Sequence, residues 1–255
     1  KDNSFKELLL IDNLSTYRYC SLFNIKKKSG IKLKFLNEDI INLNLNKLIK
    51  KNDIIIHLAA ISNAEQSFKI KKKFYENNFF TTKKIVDIAV KKRAKCIFIS
   101  STSVYGSKDE IMYEDTKNNL NPQSPYARCK ILEEKYIIEK IYKKGLTATI
   151  LRLGTIYGIS KGMRFYTVVN KFCWQAFQNI PLTVWKTAYL QKRPYLDIND
   201  AINCIKYLIK KNIFDGQIYN VATNNLSVKL IIQIIKKFKK IKIKLVKNKI
   251  MNQLS

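Results

Sequence analysis

Five short apolar runs, separated by longer segments with helical spacing, restrict this chain to a few architectures. Residues 8–11, 33–36, 54–58, 96–99 and 149–153 are rich in aliphatic residues without strict alternation of apolar and polar positions. Alternation marks a strand with one wet face, so its absence points to strands covered on both faces. Residues 77–89 and 126–142 instead carry apolar side chains three or four apart, as at Ala127, Ile131, Ile138 and Ile141. That is the period of an amphipathic helix. Strand and helix in turn predict an α/β fold built on a doubly wound parallel sheet, with a ligand cleft outside the carboxyl ends of its strands.

After Gly162 the texture changes. A helix is expected over 165–177, extended segments over 182–185 and 190–198, a helix over 200–210, a strand over 217–221 and a helix over 228–238. This reads as a smaller α+β substrate lobe. The expected division is 1–160 and 161–255, interleaved because four prolines and seven glycines leave no linker-like stretch.

Composition excludes several functions. At 255 residues and 46% apolar content the chain has material for a sizeable core. Its longest apolar stretch, interrupted by His57, is far short of the roughly 20 residues of a membrane span, so no membrane partner is expected. Cys20, Cys96, Cys129, Cys173 and Cys204 form no C-x-x-C pair, which points to a reducing cytoplasm. With His57 as the only histidine, a His-rich zinc site is excluded and no metal is expected. The net charge of +29 suggests nucleic acid at first sight. Yet six of the 48 basic residues are arginine and 42 are lysine, amid abundant Ile and Asn. Runs such as 26–28, 71–73 and 236–240, spread along the chain, read as solvated faces, and no specific nucleic acid is expected.

The strand ends carry the chemistry. Residues 8–11 deliver Asp12, where a nucleotide-binding sheet needs a carboxylate for a ribose, although Asp-Asn is also a good turn. Asp39 ends the second run similarly, and Leu58, Ala59 and Ala60 follow the third with mostly small side chains. The fourth ends in Ser100, Ser101, Thr102 and Ser103, poor core material suited to a polar site. Tyr126 and Lys130, four apart on one helical face, make a phenol beside an ammonium that lowers its pKa. The spacing alone carries little weight. Chance gives about two such pairs for 14 tyrosines, and five occur, starting at Tyr113, Tyr126, Tyr136, Tyr157 and Tyr207. Context selects Tyr126, because Ser124-Pro125 opens its helix just after the hydroxyl-rich strand end.

Taken in order, Asp12-Asn13-Leu14-Ser15, His57-Leu58-Ala59-Ala60, Asn77-Asn78, Ser100-Ser101 with Val104-Tyr105-Gly106, Ser124-Pro125-Tyr126 with Lys130, Leu151-Arg152-Leu153 and Arg193-Pro194-Tyr195-Leu196-Asp197 resemble an extended short-chain dehydrogenase/reductase. The likeness is to the NAD-dependent epimerase/dehydratase family, similar to the UDP-glucose 4-epimerases, and spans nearly the whole chain. It implies a Rossmann-type domain binding NAD and a nucleotide-sugar substrate, with a homodimer left open. By that resemblance Asp12, Asn13 and Leu14 hold the adenosine ribose, Asp39 and Ile40 the adenine, and Leu58, Ala59, Ala60, Ser62, Asn78, Ser100 and Gly154 line the cofactor. Ser101, Tyr126 and Lys130 form the catalytic group, the last two also touching the cofactor. Ser101, Thr102, Thr155, Asn170, Trp185 and Arg193 meet the sugar nucleotide.

Two departures from the family pattern stand out. Its first strand and glycine-rich phosphate loop have no counterpart here, and its far C-terminal segment is missing, so the chain is expected to be a fragment. Residues 8–11 and 54–58 should then stand two strand spacings apart, unpaired with each other. The resemblance implies epimerisation through a transient keto-sugar, with dehydration or reduction as the alternative. Family dehydratases follow the catalytic hydroxyl with an Asp-Glu pair, where Thr102 and Ser103 stand here. A non-catalytic basic binding protein on the same fold is the reading from a different class.

Overall fold

The computed structural model describes residues 5–25, 30–106, 112–114 and 120–247, so the lysine run at 26–28 lies outside the described residues. In chain order the elements are β1 (Glu7–Ile11), β2 (Lys32–Leu36), α1 (Leu45–Leu48), β3 (Ile54–His57), α2 (Ala64–Ser67), α3 (Lys71–Lys92), β4 (Lys95–Ser101), α4 (Pro125–Lys144) and β5 (Thr147–Leu153). There follow β6 (Thr155–Tyr157), α5 (Val168–Phe177), β7 (Leu182–Trp185), β8 (Lys192–Asp197), α6 (Ile198–Lys211), β9 (Ile218–Val221), β10 (Asn224–Ser227), α7 (Val228–Lys236) and β11 (Ile243–Val246). The result is a mixed α/β chain with parallel sheets.

The main sheet runs β3-β4-β5-β9, all parallel, with Phe98 opposite Ile150 and Leu151 opposite Tyr219. Its centre has no wet face, which is why β4 and β5 lack alternation. Ile97, Ile150 and Leu151 are fully buried. β1 and β2 form a separate parallel pair, and no ladder joins β1 to β3 among the described residues. The strand order expected from the sequence keeps these two apart.

Two long helices cover the main sheet. α4 begins where Ser124 accepts a hydrogen bond from the Ala127 N–H at 3.1 Å and Pro125 takes the first helical position. It ends at Gly145, whose φ of +64° favours glycine. α3 lies beside it, tied by the Tyr136 hydroxyl donating to Asp87 at 2.6 Å and by edge-on packing of Phe74 against Tyr126. Their common core includes Ile85, Val86, Ile88, Ile137 and Ala148.

Beyond residue 160 the chain divides its loyalties. β9 completes the main sheet, and α6 packs Ala201 and Leu208 against Ile97 and Leu151. The rest forms a separate core of Phe172, Leu182, Val184, Tyr195, Ile231 and Ile232 around α5, α7 and the small sheets β10-β8-β6 and β11-β7. The helix expected from residue 165 starts at Val168, because Thr167 is still extended, with ψ of 144°. The segment expected to be extended through 198 stops at Asp197, whose carboxylate caps α6 by accepting the Asn199 N–H at 2.7 Å.

Candidate functional site

Polar groups gather at the carboxyl ends of the strands. After β1, Asp12 accepts the Leu14 N–H at 2.7 Å and bends Leu14 into the left-handed region, φ +52°. Asn13 donates to the Asp39 carboxylate at 2.9 Å, linking the ends of β1 and β2, and Asp39 also accepts the Ile41 N–H. Asp12 remains exposed, whereas the Ile40 side chain is buried in the core beside Leu45 and Ile85. After β3, Leu58 is exposed and Ala59, Ala60 and Ser62 are half-buried. Asn78, on α3, fixes this turn by accepting the Ile61 N–H and donating to the Ile61 carbonyl, both at 2.9 Å.

At the end of β4 the four hydroxyls separate in role. Ser100 is buried and donates to Glu134, away from the cleft. Ser101 is half-buried and accepts the Ser103 N–H at 3.2 Å, and Thr102 donates to the Leu153 carbonyl at 3.3 Å. The Ser103 hydroxyl is buried without a hydrogen-bond partner among the described residues. Across from them, in the first turn of α4, Tyr126 is half-buried, and its N–H donates to Ser67 at 3.3 Å. One turn on, the buried Lys130 donates to the Ile99 carbonyl at 3.0 Å and pairs with Glu133 at 2.8 Å. That bond to β4, two residues before Ser101, anchors α4 against the strand end. Burial opposes the Lys130 charge, but Glu133 and then Tyr126 more than offset it, holding the ammonium above the usual lysine range.

Two of the four competing Tyr/Lys pairs lie elsewhere. Tyr136 is bound to Asp87 with Lys140 over its own ring, and Tyr207 is exposed on α6. Lys117, the partner of Tyr113, falls outside the described residues.

The other residues expected to meet the sugar nucleotide lie on β6, α5, β7 and β8, and Gly154, expected beside the cofactor, precedes β6. Gly154 is buried, and a Cβ there would stand 3.0 Å from the Pro194 carbonyl oxygen, a tight contact that glycine avoids at the bend from β5 to β6. Thr155 is exposed on β6. Asn170 is committed internally, accepting the Gly158 N–H at 3.1 Å and donating to the Arg164 carbonyl at 3.0 Å. Trp185 ends β7, and Arg193, on β8, donates twice to Gln191, at 3.1 and 2.7 Å.

The sequence reading passed over a buried network beneath this cleft. Arg152 donates to both oxygens of Glu134, at 3.0 and 2.7 Å, and to the Tyr105 hydroxyl at 2.7 Å. Tyr105 donates on to Asn220 of β9 at 2.8 Å. The signal was present in the helix period. Ala127, Lys130, Glu133, Glu134 and Ile137 share one stripe of α4, and charges on an apolar stripe must find partners. A cavity of about 440 Å³ among Lys47, Lys50, Lys51, Lys91, Lys92 and Arg93 opens at the amino ends of β3 and β4, opposite this chemistry.

Comparison with known proteins gives the family and the fold. Residues 6–222 match the model of the NAD dependent epimerase/dehydratase family. A dTDP-D-glucose 4,6-dehydratase of Dictyostelium discoideum is 30% identical over 238 residues, covering 86% of this chain and 52% of its own length. A UDP-N-acetyl-alpha-D-glucosaminuronate decarboxylase of Bacillus cytotoxicus is 28% identical, covering 71% of this chain and 57% of its own. The chain thus spans a little over half of these relatives. Among solved structures, the UDP-glucuronic acid 4-epimerase of Bacillus cereus, in complex with UDP-glucuronic acid and NAD, superposes with a TM-score of 0.81 at 26% identity, over 95% of this chain and 78% of that one. A dTDP-glucose 4,6-dehydratase of Streptomyces venezuelae shares the fold, with a TM-score of 0.79 at 20% identity, over 99% of this chain and 83% of its own.

Proposed function

This chain belongs to the NAD dependent epimerase/dehydratase family, and from that premise we propose that it acts as a nucleotide-sugar 4-epimerase. The observation that favours epimerisation is the end of β4: Thr102 and Ser103 follow Ser101 where a dehydratase needs acids, and Thr102 spends its hydroxyl on the Leu153 carbonyl. Elimination of water requires a group that protonates the departing hydroxyl, and two neutral alcohols supply it poorly.

The residues at the ends of β1 and β2 suit NAD. Asp12 is exposed and gives one oxygen to Leu14, an acidic partner for ribose hydroxyls and a repulsive one for the extra phosphate of NADP. Arg18, the nearest arginine in sequence, faces the Tyr166 ring and hydroxyl instead. Asp12, Asn13 and Asp39 with the turn at Ala59 and Ala60 would hold NAD, which would serve as a reversible hydride acceptor. Tyr126 then takes the proton of the sugar hydroxyl that is oxidised and returns it when the hydroxyl re-forms. Lys130 stabilises the phenolate through its charge, and Ser101 donates a hydrogen bond to the reacting oxygen. The five free thiols favour a reducing compartment, the cytoplasm.

The test is to supply the purified full-length protein with NAD or NADP and UDP-glucose or UDP-glucuronic acid, then weigh and resolve the product. An epimer keeps the mass of its substrate, whereas a dehydrated product is lighter by one water. Expected are an isomer of equal mass, preference for NAD, and a loss of about 10²-fold or more in turnover for Tyr126→Phe with folding intact. A product lighter by water would replace epimerase with dehydratase.

A further inference from the structure

Below the Tyr126–Lys130 pair lies a carboxylate that the reaction above does not use. Glu133 and Lys130 are each 4% exposed, and their ion pair is 2.8 Å long. Glu133 sits one turn beyond Lys130 on α4, as Tyr126 sits one turn before it. Lys130 therefore stands between Tyr126 and Glu133 along α4.

Glu133 is itself fixed from two helices, α3 and α4. The Thr82 hydroxyl of α3 donates to one oxygen at 3.1 Å, and the Cys129 thiol of α4 donates to the other at 3.4 Å. Because Thr82 spends its proton on Glu133, it can only accept from His57 of β3, 3.1 Å away, so the imidazole carries its proton on Nε2. The other titratable neighbours are neutral. Burial, and then the Lys130 charge, push His57 down to about 3, while burial, and then Glu133, push the Cys129 thiol up to about 12. Glu134, next along the helix, is neutralised by Arg152. Among the described residues, Glu133 is the charged group that Lys130 meets.

We infer that Glu133 is a positioning residue for the reaction, anchoring Lys130 and setting through its charge the pH at which the Tyr126–Lys130 pair releases its proton. This rests on the reading of Tyr126 and Lys130 as the acid/base pair. The sign does not depend on which member loses the proton. A nearby negative charge stabilises the ammonium and destabilises the phenolate, so it raises the first macroscopic pKa of the pair in either case. Removing that charge must lower it.

The probe is tyrosinate absorbance, titrated as the difference between the chain and its Tyr126→Phe variant, so neither substrate nor turnover is needed. In Glu133→Gln the Tyr126 midpoint should fall by about one pH unit, a tenfold larger proton-release constant. Glu133→Asp keeps the charge but withdraws it, and should fall by less. If the Gln variant fails to fold, the Asp variant carries the same sign. A midpoint that stays put or rises in whichever variant is measured overturns the inference. Lys130→Met separates this from the underlying reading. If it leaves the Tyr126 midpoint unmoved, the acid/base pair itself is wrong. If it raises the midpoint while Glu133→Gln does not lower it, Glu133 alone has been misassigned.

Discussion

β5 and β1 are written in much the same alphabet, Thr-Ala-Thr-Ile-Leu-Arg-Leu against Glu-Leu-Leu-Leu-Ile, yet six of the seven residues of β5 are buried and none of β1. Each region also holds one short ion pair. Arg152–Glu134 measures 2.7 Å with both side chains sealed, whereas Lys34–Glu7 measures 2.8 Å with both more than 40% exposed. Identical contacts thus sit in different solvents. The energy of a residue here is set by what covers it: β4, β9, α4 and α6 around β5, and for β1 its partner β2, with only the Ile11 end packed on the main core among the described residues.

The largest expected contrast is in the ion pairs. Arg152→Met leaves Glu134 buried and uncompensated and should destabilise the chain by about 4 kcal/mol, while Lys34→Met should cost under about 1 kcal/mol. Urea unfolding midpoints measure both, and similar losses would mean that the two pairs share one environment. Next come the apolar side chains. Ile150→Ala empties a fully buried position and should cost about 3 kcal/mol, against about 1 kcal/mol or less for Leu8→Ala at a half-exposed one.

The smallest effect lies on the pH axis. His57 is neutral when folded, with its pKa pushed by burial from 6.5 to about 3, so the unfolded chain binds the extra proton first. Stability should be complete above about pH 6.5 and fall by about 1.4 kcal/mol per pH unit below it, roughly 2 kcal/mol at pH 5. Glu7 has its pKa lowered, chiefly by the hydrogen bond from Lys34, so its contribution is present above the ordinary carboxylate value and fades only below it. In His57→Gln the unfolding midpoint should stay flat between pH 6.5 and 5. A wild-type slope surviving in that variant would assign the acid sensitivity to another group.

Much of the fold was legible because buried parallel strands and long helices have periods that differ. The runs at 8–11, 33–36, 96–99 and 149–153 each lie within an observed strand. The 3-residue β6 and the Asn-Asn start of β10 have no such signature, and β10 is extended only because Asn224 pairs with Tyr195. For the site, residue type at a strand end pointed to Ser101, and the Ser124-Pro125 helix start to Tyr126. Type alone did not separate a side chain facing the cleft from one facing inward. Ser100 turns to Glu134 and Asn170 to Gly158, because each inward hydroxyl or amide satisfies a buried partner that only the assembled fold supplies.

The fourth strand of the main sheet comes late in the chain. β5 presents Ile150 to Ile218 and Leu153 to Val221, so its outer edge waits for partners 68 residues downstream. At roughly 5 to 20 residues per second of synthesis, that is an interval of about 3 to 14 s. During it an apolar strand edge faces the surroundings, the kind of surface that pairs with other chains. Growth at low temperature, which slows elongation, lengthens the exposure, so yield of folded chain should depend on how quickly residues 154–221 are synthesised.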